Sequence, residues 1–270
     1  MLSVASPILA YAAQSHTGRR SRNEDAVRIP ETSSTSDRLF AIADGMGGHK
    51  GGDLASRLAC QGLVGYYQRK ISEHPLQNPD FIRGHLVAGI LRTDKLIRLS
   101  GRAEADLVDM GTTLSCLVIA QNRSIIAHVG DSRVYRLRRG RMTCLTTDHT
   151  FVQEMIFEGE IDPERAASHP LRHLLTRSLG TPEPLEWVDT RVDSVIDEDR
   201  FLLSTDGLHT ALSAERLAAV LSRPWPPKRI ADRFVFDALN AGATDNISAI
   251  VICVNEFGAP ASFAGHDGFG

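Results

Sequence analysis

Residues 38–48 have the sequence RLFAIADGMGG, and this segment indicates most clearly how the chain folds. The mostly apolar run at 38–43 enters a glycine-rich turn, which is typical of a buried strand that ends at a tight bend. Asp44 closes the run. Glycine directly after it lets the backbone approach closely, so that its carbonyl could also act as a ligand.

Hydrophobic periodicity around this segment predicts one domain at residues 9–256, followed by a glycine-rich tail at 257–270 that we expect to be disordered. Apolar residues three and four apart indicate helices. The predicted helices span 53–71, 79–99, 151–159, 214–221 and 228–239. The predicted strands begin near residue 9 and at 38–43, 112–120, 124–129, 133–138, 142–145, 200–204 and 247–254. Strands separated by helix pairs, without strict alternation, favour antiparallel sheets flanked by helices.

Composition narrows the possible functions of the chain. The 270 residues are 42% apolar and carry a net charge of −3, so the chain can bury a core and has no basic excess for nucleic acid. No apolar run approaches the roughly 20 residues that span a bilayer, and no basic residue precedes the apolar N-terminus as in a signal peptide. The four cysteines form no C-x-x-C pair and are expected to be reduced core thiols. We therefore expect a soluble, cytoplasmic protein without membrane or nucleic-acid partners. We also expect a monomer.

Four aspartates lie next to strand-like runs. Three stand at or just beyond the end of such a run, and the fourth stands shortly before one. These residues are Asp44, Asp131, Asp206 and Asp245. Strand ends in a sheet sandwich meet at one edge, so the four carboxylates could converge there. Carboxylates without histidine or cysteine suit a hard cation such as Mg²⁺ or Mn²⁺. An ordinary turn explains any single Asp-Gly pair equally well, but four matching contexts favour a shared site.

A second charged cluster, GRRSRNED at residues 18–25, follows the first predicted strand. A guanidinium forms a two-pronged contact with phosphate oxygens, so arginines beside paired carboxylates could bind a phosphate next to a metal. A solvated charged loop is the simpler interpretation of this cluster in isolation.

Taken together, these motifs carry a family resemblance. In chain order they are GxRxxNED, DGMGG, GTT, VGDSRVY, TxDHT, HP, TRxLG, STDGL and GATDNIS. From about residue 14 to 254 the chain resembles the bacterial branch of the type 2C metal-dependent serine/threonine protein phosphatases. The resemblance implies an α+β fold, a four-layer α-β-β-α sandwich of two antiparallel sheets flanked by helix pairs. It also implies a metal cleft at one edge and a flap at about 150–180 that influences substrate choice.

The resemblance further implies a centre of two Mn²⁺ or Mg²⁺ ions. Asp44 would bridge both ions, and the Gly45 carbonyl would complete one of them. Asp206 and Asp245 would hold the other. A water activated by both ions would attack phosphoserine or phosphothreonine directly.

Other residues match accessory positions of the family. Arg20 matches the arginine that binds the phosphate. Glu24 and Asp25 would position waters on the second ion, and Asp25 could reach a third. Asp131 matches the carboxylate that, with Asp206, holds a third and weaker metal in bacterial relatives.

The proton donor for the leaving group stays open. Met46 stands where eukaryotic relatives have a histidine, and either His49 or a metal-bound water could act instead. The expected partners are phosphoproteins and a serine/threonine kinase whose action the chain would reverse. The alternative is a pseudophosphatase that binds without turnover, although intact Asp44, Asp206 and Asp245 argue against it. A phosphoesterase acting on small molecules or nucleic acid is less favoured.

Overall fold

The computed structural model describes residues 7–31, 38–47, 51–73, 78–166 and 168–257. Its strands form two sheets in which all paired strands are antiparallel. The first sheet has the order β1 (Pro7–His16), β11 (Ile247–Phe257), β10 (Arg200–Ser204), β7 (Arg133–Arg138) and β8 (Arg141–Cys144). The second has the order β2 (Asp25–Arg28), β3 (Leu39–Met46), β5 (Leu114–Ala120), β6 (Arg123–Val129) and β9 (Asp189–Ser194), with β4 (Gly111–Thr112) paired to β3.

The helices lie on the outer faces of the sheets and in the connections. They are α1 (Gly51–Glu73), α2 (Pro79–Ala103), α3 (Phe151–Phe157), α4 (Pro163–Ala166), α5 (Asp206–His209), α6 (Ala214–Leu221) and α7 (Pro227–Asn240). Helices α1 and α2 pack on the second sheet, and α6 and α7 pack on the first. The predicted four-layer α-β-β-α sandwich is therefore confirmed.

Strand β3 shows why the chain forms two sheets packed face to face. Successive side chains of a strand point to opposite faces. Accordingly, Leu39, Ala41 and Ala43 join the core beneath α1 and α2, whereas Phe40 and Ile42 join the core between the sheets. A strand covered on both faces has a continuous apolar sequence, which is the pattern at 38–43.

Several boundaries differ from the predictions. Strand β1 begins at Pro7, the segment predicted as one strand at 112–120 divides at Thr113 into β4 and β5, and α3 ends at Phe157. Strands β2 and β9 were not predicted, because β2 is only four residues long and β9 (DTRVDS) is a polar edge strand with mostly exposed side chains. Strand β11 reaches Phe257, where the tail was predicted to begin, and the remaining tail lies outside the described residues.

Two expectations from composition can be compared with the fold. Cys60, Cys116 and Cys253 are buried free thiols, whereas Cys144 is exposed, contrary to a core position, because it ends the edge strand β8. Within the described ranges, every helix falls short of the length and hydropathy of a membrane span.

Candidate metal centre and phosphate site

A cavity of about 720 Å³ lies where β3, β10 and the loop before β11 meet. The predicted site residues that line it are Arg20, Glu24, Asp44, Gly45, Asp131, Asp206 and Asp245. Asp25 does not line the cavity, but β2 pairs with β3 so that Asp25 and Asp44 are direct cross-strand partners. The fold thus brings together residues that are up to 225 positions apart in the chain.

The backbone of Asp44 is fixed by the GTT motif. The Asp44 amide donates to Thr113 Oγ1 at 2.9 Å, and the Thr113 amide donates to the Asp44 carbonyl at 2.9 Å. Thr113 Oγ1 also lies 2.7 Å from Ser132 Oγ in the loop that carries Asp131. This network joins two of the predicted metal ligands through buried hydroxyl groups.

Close backbone approach around the cavity requires glycine at two positions. A Cβ at Gly45 would lie 2.1 Å from the Gly52 carbonyl oxygen, and a Cβ at Gly207 would lie 2.0 Å from the Asn246 carbonyl oxygen. Either contact is far shorter than van der Waals distance, so a side chain there would push α1 or α5 away from the site. Gly45 of DGMGG and Gly207 of STDGL therefore serve close packing at the cavity wall.

Two carboxylate oxygens at the site are buried without a hydrogen-bond partner among the described residues. Asp25 Oδ2 accepts from Thr205 Oγ1 at 2.9 Å and from Ser248 Oγ at 2.6 Å, but Asp25 Oδ1 has no donor. Asp206 Oδ1 is likewise without one. Buried polar atoms are normally satisfied, and oxygen ligands of this kind suit a hard cation. The donor set therefore fits Mn²⁺ or Mg²⁺.

The electrostatics of the cluster support the same fit. Burial, reinforced by the neighbouring carboxylates Asp25 and Asp206, raises the pKa of Asp44 well above its ordinary value. Burial likewise raises the pKa of Asp25 to about 7, although its hydroxyl partners oppose the shift, and that of Asp131 to about 7, helped by repulsion from Asp206. A bound divalent cation would favour the ionised form of these groups.

Two basic side chains, Arg20 and His173, contact carboxylates of the cavity. Arg20 Nη2 donates to Asp245 Oδ2 at 2.7 Å, and His173 Nδ1 lies 3.5 Å from Asp206 Oδ2. In the described part of the chain, no three histidine, cysteine or acidic side chains stand as a ready-made ligand set. The individual ligand assignments therefore stay predictions, supported by the shared cavity and the two unpartnered oxygens.

Three further residues, Thr113, Asn246 and His173, belong to the site although the sequence analysis gave them no role there. Asn246 Oδ1 accepts from the Glu24 amide, and its Nδ2 donates to the carbonyls of Thr17 and Arg22, each at 2.8 Å. Asn246 thus fixes the loop that carries Arg20. Asn246 belongs to the GATDNIS motif and Thr113 to the GTT motif, so both stood in motifs that the sequence analysis had already singled out.

His173, the third such residue, lies in the predicted flap and lines the cavity. Met46 lines the cavity as well, and a thioether has no proton to donate. His49, the other donor considered from the sequence, lies outside the described residues.

Comparison with known proteins agrees with this geometry. The family model described as protein phosphatase 2C matches residues 13–235. The serine/threonine protein phosphatase PstP of Mycobacterium tuberculosis is 37% identical over 251 residues, covering 93% of this chain but 46% of PstP. The serine/threonine phosphatase stp of Listeria monocytogenes is 35% identical over 233 residues, covering 86% of this chain and 90% of stp. This chain therefore spans about half the length of the mycobacterial relative and most of the listerial one.

A solved structure adds a relative that contains metal ions. The crystal structure of the PstP catalytic domain in complex with two manganese ions superposes with a TM-score of 0.80 at 34% identity, covering 93% of this chain and 100% of that one. In fold, this sandwich with its carboxylate-lined cavity matches a catalytic domain that was solved with two manganese ions. The chain belongs to the protein phosphatase 2C family, and the predicted resemblance to its bacterial members is confirmed.

Proposed function

We propose that this chain is a serine/threonine protein phosphatase with a binuclear Mn²⁺ or Mg²⁺ centre in the carboxylate-lined cavity. The observation that carries the proposal is the pair of buried oxygens on Asp25 and Asp206 that lack a hydrogen-bond partner among the described residues, beside a cavity that Arg20 also lines. Membership of the family and the names of the bacterial relatives support the same activity.

Each carboxylate has a place in this proposal. Asp44 would be shared between the two ions, with the Gly45 carbonyl beside it, and Asp206 and Asp245 would complete the inner ligand set. When bound, a pair of divalent cations supplies Lewis acidity, which activates water and offsets the charge of the phosphoryl group.

A second set of residues would complete the site. Glu24 and Asp25 would hold water by hydrogen bonding, and Asp131 with Asp206 would form the third, weaker position.

Arg20 would orient the substrate. Its side chain is 61% exposed at the rim of the cavity, and among the described residues its one ion pair is with Asp245. A planar guanidinium can grip two phosphoryl oxygens at once, which an ammonium group cannot do. Engagement of Asp245 by a cation would release Arg20 for this contact, so metal and substrate binding would reinforce each other.

The biological role would be to remove phosphate from proteins modified by a serine/threonine kinase. The relatives named as serine/threonine phosphatases support this choice of substrate class. A serine/threonine kinase would be the opposing enzyme, because phosphoserine and phosphothreonine must be formed before they can be hydrolysed.

The direct test is phosphate release from a phosphothreonine peptide and from para-nitrophenyl phosphate, with Mn²⁺ and with EDTA. Mn²⁺-dependent release from both is expected. A phosphotyrosine peptide of the same sequence is the control and should react more slowly. Binding of the phosphothreonine peptide without release would instead identify a pseudophosphatase, and no binding at all would refute the proposal.

A further inference from the structure

A groove of about 320 Å³ adjoins the carboxylate-lined cavity, and the proposed chemistry does not use this groove. The two cavities share Leu175, Ser178 and Thr181 as common walls. The groove continues between α3 and the segment before β9, where it is lined by Trp187. A phosphorylated residue held at the metal centre would therefore place its chain neighbours at the mouth of this groove.

One lining side chain of the groove is an aromatic ring that is held in place. Trp187 is 54% exposed, and the Arg177 guanidinium lies 4.3 Å from its ring centroid. Arg177 is in turn fixed by a 3.1 Å hydrogen bond to Asp189 Oδ1. The ring can therefore offer its uncovered surface to a ligand without first being ordered.

The wall that carries Trp187 is also anchored to the core. Buried Asp94 of α2 accepts from the Gly180 amide at 2.9 Å and from the Leu185 amide at 3.3 Å. This clamp spans the connection between the flap and β9. The groove is thus a preformed feature of the fold. A ligand that binds there does not lose affinity to the entropy cost of ordering the wall.

The charge of the groove selects its occupant. Glu154, Glu183 and Glu186 line it and are exposed, and none of them forms a salt bridge with another described residue. Among the described lining residues, Arg177 is the one with a basic side chain, and it is already paired with Asp189. A long basic side chain fits this arrangement, because its methylene stem can lie on Trp187 while its head reaches the carboxylates.

We propose that this groove binds a lysine or arginine of the phosphoprotein segment that flanks the phosphorylated residue. The inference rests on the proposed phosphatase function and adds a substrate class to it, namely phosphoserine or phosphothreonine with a basic neighbour. Acidic flanking residues are disfavoured by the same three glutamates.

The test measures binding separately from turnover. Peptides carrying a non-hydrolysable phosphonate analogue of phosphothreonine are titrated by fluorescence anisotropy in the presence of Mn²⁺. One set has a single arginine at each of three positions on either side of the phosphonate, and the reference peptide has glutamine throughout. The best arginine position should bind about tenfold more tightly than the reference, the combined effect of packing the methylene stem on Trp187 and forming two or three exposed ion pairs.

Variants assign that preference to the groove. Trp187→Ala and the double variant Glu183→Gln/Glu186→Gln should each remove most of the preference, and Trp187→Phe should retain part of it. The matched control is Phe236→Ala, because Phe236 is 58% exposed on α7 and also lies beneath an arginine, Arg233. Phe236→Ala should keep the full preference, and thermal melts confirm that each variant is folded.

Equal affinity for the arginine and glutamine peptides would overturn the inference, as would a preference that survives in Trp187→Ala and in the double glutamate variant. Turnover of the matching phosphopeptides is measured in parallel. Arginine preference without phosphate release would leave the groove assignment standing and refute the phosphatase function. Phosphate release without any arginine preference would support the phosphatase function and refute the groove assignment.

Discussion

Replacing Asn246 by alanine should release the loop that carries Arg20. The Asn246 side chain is almost fully buried and makes three hydrogen bonds of 2.8 Å, to the amide of Glu24 and the carbonyls of Thr17 and Arg22. Alanine removes all three contacts and offers no replacement. The loop would stay covalently attached to β1 and β2, so a local loosening is expected rather than unfolding of the domain.

The magnitude follows from these contacts. A buried polar group that loses its partner destabilises a protein by about 1–3 kcal/mol. Water at the cavity rim can satisfy part of this loss, so the free energy of unfolding should fall by about 2–3 kcal/mol in total. For a domain of this size that corresponds to a decrease in melting temperature of about 5–10 °C.

The assay combines thermal melts with Mn²⁺-dependent hydrolysis of para-nitrophenyl phosphate. Because Asn246 acts by positioning Arg20, Asn246→Ala should raise KM, and Arg20→Ala should raise it further only slightly in that background. Asn255→Ala is the matched control, since Asn255 is exposed near the other end of β11. An unchanged melting temperature, or effects of the Asn246 and Arg20 substitutions that simply add, would refute the reasoning.

Three further outcomes are expected. Arg20→Ala should raise KM for the phosphorylated substrate more than it lowers kcat, and kinetics of Arg22→Ala should stay closer to wild type; an equal effect of both would move the phosphate contact along the loop. Asp131→Ala should increase the Mn²⁺ concentration needed for half-maximal activity with little change in melting temperature, whereas the opposite pattern would make Asp131 a turn residue. Thr113→Val should lower the free energy of unfolding in urea by about 2 kcal/mol, because the Asp44 amide loses its acceptor, and Thr113→Ser should restore it; full stability of the valine variant would contradict this role.

The sequence was sufficient to predict a strand or helix wherever its buried residues recur at regular spacing. Strand β3 could be predicted because both of its faces are covered, which produces an unbroken apolar run. Helix α7 could be predicted because only one of its faces is covered, which produces apolar residues three and four apart. The aspartates of the site were recognisable because each follows or precedes such a strand at a turn.

The rest depends on contacts between distant segments. Strand β9 is polar and forms only through pairing with β6, so no local pattern marks it. Asn246 stands in the GATDNIS motif, but its role becomes apparent only where the fold brings it against the loop at 17–24. The pairing of Arg20 with Asp245 joins residues 225 positions apart, and only the tertiary structure shows it.

The central claim is that the carboxylate-lined cavity binds a pair of divalent cations. The most direct measurement is titration of the chain with Mn²⁺ by isothermal calorimetry, followed by electron paramagnetic resonance of the bound ion. Two inner ions with a spin-coupled signal are expected for the wild type. Asp206→Asn and Asp245→Asn should each lose the coupled signal and the Mn²⁺-dependent activity while staying folded, and the exposed control Asp162→Asn should behave as wild type. An absence of Mn²⁺ binding, or the same coupled signal in both cavity variants, would contradict the account.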